Sequence, residues 1–153
     1  MSSADRVRSS TSDDVQHRLD EERLQRVTEM VGAPAEAITA RIEELDRAWD
    51  VERVLEANAS SLMLFGVLMS RVHSRKWLWL CAAVPAFLLQ HAIQGWCPPI
   101  AVIRRLGVRT RNELDVERTA LKALRGDFDG LELDGEPQAV ARAAIGAAER
   151  RSG

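Results

Sequence analysis

Val15, Leu19, Leu24, Val27 and Val31 trace a rough apolar stripe through an otherwise charged segment. That spacing predicts a helix beginning near Asp13. Gly32-Ala33-Pro34 ends it, with Gly at the stop and Pro near the next start. Ile38, Ile42, Leu45 and Trp49 follow at spacings of 4, 3 and 4. They predict a second helix whose seam suits a neighbour, either within the chain or on a partner. Residues 12–49 thus form a charged helical arm. Residues 1–11, rich in Ser, Thr and Arg, are expected to be disordered.

The pattern changes at Asp50, which is placed to cap a fresh helix at Val51-Glu52-Arg53. Ala57 to Ser70 are 14 uncharged residues, about 21 Å of helix against a hydrocarbon core of roughly 30 Å. A spanning helix would recruit Val51, Val54, Leu55 and Val72, giving a first span over 52–72. A cationic connector, Arg71 to Lys76, leads into 27 residues without formal charge, Trp77 to Ile103, with His91 neutral. Trp77, Trp79 and Trp96 stand near its two edges, as in the aromatic belt of a membrane helix. Pro85 is tolerated there, and Cys97-Pro98-Pro99 is expected to end the second span, 77–97. The short connector makes the two helices antiparallel neighbours. Small residues at four-residue spacing (Ala57 and Ser61, Gly66 and Ser70, Ala82 and Ala86) suit close packing in lipid. Downstream, Thr110-Arg-Asn-Glu113 reads as a capping box. It opens an amphipathic helix over 111–126, with Leu114, Ala120, Leu121 and Leu124 inward and Gly126 as its stop. The tail 127–153 is acidic, then Ala-rich, with a marginal helix over 138–150.

Charge sharpens this division. Residues 1–56 carry 14 acids and 8 Arg, residues 57–112 carry no acid and 7 Lys+Arg, and residues 113–153 carry 9 acids and 6 Lys+Arg. An acid-free middle is what a lipid-facing segment requires. The net charge of -2 gives no field for nucleic acid. The first 30 residues hold no apolar signal core. Arg and Lys flanking the two spans outnumber the three in the connector (Arg71, Arg75, Lys76), which places both termini in the cytoplasm.

Several side chains are candidates for function. Cys97 lies at an expected helix end beside Pro98; it is either a reactive thiol or a packing residue, and Cys81 is mid-span. His91 and Gln94, with Gln90, bring polar groups to membrane depth. An interhelical hydrogen bond from His91 to Asn58 or Ser60, or across a dimer, is one reading and a ligand role another. Arg104, Arg105, Arg109 and Arg111 form a basic cluster suited to anionic lipid headgroups. No phosphate loop, nucleophile elbow, zinc helix or CxxC is present. No cofactor and no enzymatic activity are expected.

Asp50-Val-Glu-Arg53, a Gly66-containing helix, a Trp-led second helix ending in Gly95-Trp96-Cys97-Pro98, and Leu106-Gly107-Val108-Arg109-Thr110 together resemble the YgaP-like transmembrane domain family. The likeness covers about residues 50–110. The resemblance implies a two-helix membrane domain that in some members is joined to a sulfur-transferring rhodanese and forms a homodimer in the bacterial inner membrane. This chain has no Cys before Cys81, so sulfur transfer is not carried over. The expectation is therefore an all-α protein: a transmembrane helical hairpin with a cytoplasmic N-terminal helical arm and a C-terminal amphipathic helix. Its role is structural or protein-binding, with an unidentified cytoplasmic partner on residues 15–48. A thiol relay through Cys97 and a soluble helical bundle built around Trp77–Leu89 are the alternatives.

Overall fold

The computed structural model describes residues 7–94, 97–128 and 135–152, and every regular element among them is helical. The helices are α1 (Asp13–Glu29), α2 (Ala35–Arg47), α3 (Val51–Val72), a 3-10 turn (Arg75–Trp77), α4 (Leu78–Gln94), α5 (Pro98–Arg105), α6 (Arg111–Arg125) and α7 (Pro137–Ser152). Trp96, expected in the aromatic belt, and most of the acidic stretch before Gly135 lie outside the described residues.

The chain divides into two compact units. One is discontinuous in sequence: residues 13–48 pack with residues 111–128 and 135–152. The expected order of arm, membrane segment and tail is thereby regrouped. Its central helix is α6, which buries two faces. Val116, Ala120 and Ala123 meet Val27 of α1 and Ala141, Ala144, Ile145 and Ala148 of α7. Leu114 and Leu121 meet Ile38, Ile42 and Leu45 of α2. The apolar seams of the arm are thus filled from within the chain. The Ala-rich tail is a full partner in that core, because Ala side chains at helical spacing let α7 approach closely. Trp49 leaves the expected seam: α2 stops at Arg47, and the Trp49 ring lies 5.0 Å beneath the Arg53 guanidinium.

The other unit comprises residues 7–12 and 49–110. Asp50 caps α3 as expected, its carboxylate accepting the Arg53 amide at 2.7 Å. Val51 N–H donates to the Arg109 carbonyl at 3.0 Å, so the segment's entry and exit meet. Residues 7–9 form a helical turn rather than a disordered lead. Val7 is buried with Val51, Leu55, Cys97, Ile100 and Ile103, an apolar contact no local pattern announces.

Two helices end in the same way. At Gly107 (φ +85°) and Gly126 (φ +91°) the chain enters the left-handed region, which glycine adopts without penalty. Val108 N–H reaches back to the Ile103 carbonyl and Asp127 N–H to that of Lys122. Both are Schellman closures of the last turn.

Candidate functional site

The surface that departs most from that of a water-soluble domain is on α3 and α4. The two helices pack side by side. Gly66 is buried at their contact, where an added Cβ would stand 2.8 Å from Cys81 Sγ and 3.3 Å from the Trp77 carbonyl. Cys81 Sγ faces the Met63 carbonyl at 3.5 Å, and Phe65 meets Trp77 edge to face, centroids 5.5 Å apart. Further along, Leu88 packs beside Val51 and Leu55. The helices therefore run in opposite directions. Of the expected small residues, Gly66 lies at this contact, against Cys81 of the facing helix.

Away from that seam the side chains are apolar and outward. Leu64, Leu68 and Val72 of α3 and Trp79, Leu89 and Ile93 of α4 are exposed, Trp79 at 79%. No residue of α4 is buried. Such contiguous apolar exposure exceeds the scattered leucines of an ordinary surface and marks a face made for an apolar partner.

The second helix is described as far as Gln94, and Cys97 is not helical. Cys97 does not close a helix; it stands at the N-cap of α5, with Pro98 in the first helical position. Proline both stops one helix and suits the first turn of another. Cys97 is 1% exposed. Desolvation pushes its thiol up from the ordinary range, with a smaller opposing pull from the Ile100 backbone amide. A neutral, enclosed thiol is a poor nucleophile. Cys81 and Cys97 are both free.

His91 is half-buried, and its Nδ1 has no hydrogen-bond partner among the described residues. The anticipated interhelical bond to Asn58 is not made, since Asn58 Nδ2 donates to the Val54 carbonyl of its own helix. Gln94 instead accepts from Gln90 at 3.4 Å. Among the described residues no group of His, Cys, Asp or Glu converges for a metal.

The four arginines separate. Arg104 is 1% exposed, donating to the Thr11 hydroxyl and to the Val108 carbonyl, both at 3.1 Å. It binds the N-terminal turn and the Schellman loop to α5 and is out of reach of a headgroup. Arg105 and Arg111 are exposed and Arg109 is half-buried.

Sequence reasoning missed one feature. A cleft of about 540 Å³ lies between α3, α4 and α5. Its walls include Ala59, Leu62, Ala83, Phe87 and Val102, and among the described residues no charged side chain lines it. The signal was present as small residues opposite large ones, but only the unexpected α5 closes the third side.

Comparison with protein-family models, curated proteins and solved structures finds no match to this chain.

Proposed function

We propose that this chain is a small integral membrane protein whose α3 and α4 form a transmembrane hairpin in the bacterial inner membrane. Both termini lie in the cytoplasm. The protein is a homodimer of the kind the YgaP-like resemblance implies, and its role is to bind or organise other proteins, without a reaction of its own. The observation that carries this reading is the exposure of α4. The segment Arg75–Gln94 is long and apolar enough to cross a bilayer, yet only 6% of its most apolar window is buried. In a soluble bundle a helix of this composition would form the core; here none of α4 is enclosed. α3 has 22 residues, about 33 Å of helix, enough to cross if Arg53 and Glu56 reach the interface. A partner of the arm would meet the outer, charged side of α1 and α2, because their apolar seams are occupied.

Sodium carbonate washing of membranes tests the reading: the chain stays in the pellet, and release into the supernatant sinks it. Orientation is tested with a Ser74→Cys variant in which Cys81 and Cys97 are replaced by Ala. The connector thiol is expected to react with an impermeant maleimide from the periplasm. Labelling only after the cytoplasm is opened reverses the topology.

A further inference from the structure

We infer that the cleft between α3, α4 and α5 holds one acyl chain of a membrane phospholipid. The inference rests on the membrane reading above and goes beyond it, because it assigns a discrete lipid site rather than a general lipid coat. The cleft's volume, about 540 Å³, falls in the range of single-ligand pockets, about 300–1,000 Å³. Its chemistry selects hydrocarbon. Among the described residues the walls are Leu, Ala, Val, Phe, Ile and Pro, with Asn58 and the enclosed Cys97 as the only other side chains. Asn58 is the single amide side chain among the described wall residues and one of its N–H groups is taken by the Val54 carbonyl, so a polar ligand would lose its hydration for little in return.

The rim is apolar as well. Leu62, Phe87, Val102 and Leu106 line the cleft and are exposed. An occupant therefore emerges into an apolar medium, as a lipid chain does and a soluble metabolite does not. A helix from a second copy does not fit: at a diameter of about 10 Å, this volume accommodates little more than one helical turn. A stable protein interface needs about 800 Å² from each partner. The cleft stays open because Ala59 and Ala83 stand where larger side chains would fill it.

The test uses the full chain, purified in detergent and stripped of lipid, then offered palmitoyl-oleoyl phosphatidylglycerol and observed by native mass spectrometry. One tightly held phospholipid per chain is expected. Ala83→Trp fills the cleft and weakens that adduct about tenfold. Ala82→Trp, on the adjoining helical position outside the cleft lining, leaves it within about twofold. Equal retention by both variants, preference for oleic acid over the phospholipid, or Ala83→Trp disrupting a dimer without loss of lipid would each overturn the inference. A chain that remains in carbonate-washed membranes but retains no lipid refutes this site alone. A chain released by carbonate refutes the membrane reading itself.

Discussion

Glu117 ties together three helices of the unit formed by residues 13–48 and 111–152. It is fully buried on α6, and its carboxylate faces Arg26 of α1 at 3.3 Å and Arg41 of α2 at 3.4 Å. Both arginines are partly solvated, but the carboxylate is not. Replacing it leaves two guanidinium groups over an apolar core. Glu117→Ala is expected to cost about 2–3 kcal/mol, less than a wholly enclosed pair because the arginines keep access to water. Denaturant unfolding followed by far-UV circular dichroism measures it; a loss below about 0.5 kcal/mol, the level of an ordinary surface substitution, contradicts the assignment. Cys97 gives a pH signature. Its folded-state pKa is raised above the ordinary 9.0, chiefly by burial. Its contribution to stability is therefore present below that value and is lost as pH rises through the folded pKa, because the unfolded thiol ionises first. Cys97→Ala should flatten the alkaline limb of the stability profile above about pH 9. An unchanged limb would show that other groups set it.

At the scale of the helix, the Gly66 contact is the most restrictive. A methyl group there meets Cys81 Sγ and the backbone at Trp77, so Gly66→Ala should separate α3 from α4 at a cost of about 1–3 kcal/mol. Cys81→Ala in the same chain should recover part of that loss, a coupling of about 1 kcal/mol in a double-mutant cycle. Additive effects would mean that the Trp77 carbonyl alone resists the methyl. Asp50→Ala, which removes the α3 cap, should lower stability by about 1 kcal/mol on the same denaturation assay, and Asp50→Asn by less. These elements were largely legible from sequence. The starts near Asp13, after Asp50 and after Thr110, and the stop at Gly126, all follow from local chemistry that does not need the rest of the chain. α5 was not legible, since Pro98-Pro99 reads equally as an end and a beginning, and only the burial of Ile100 and Ile103 decides between them. Arg104 was misplaced for a related reason. Four arginines close in sequence look like one basic surface until the helix turns one of them inward to Thr11 and Val108.

For the whole molecule, the two units have opposite surfaces. One presents apolar side chains on α3 and α4; the other carries ion pairs such as Arg118 with Asp46 at 2.6 Å and Arg47 with Glu43 at 3.1 Å. Whole-chain averages conceal this, because an acid-free segment and two acidic ends cancel in the net charge. Local charge counting exposed the apolar middle. It did not expose the union of the chain ends, because nothing in the stripe of α1 or α2 names α6 and α7 as its cover. The apolar unit is also closed at its own base, the Val51 amide donating to the Arg109 carbonyl. A loop whose two feet already touch can be excised and its stumps rejoined with little distortion of what remains. Splicing Asp50 to Thr110 through a few glycines should therefore leave a miniature that dissolves and folds in plain buffer, and, on the membrane reading proposed above, the severed piece should be a transplantable anchor for other cargo.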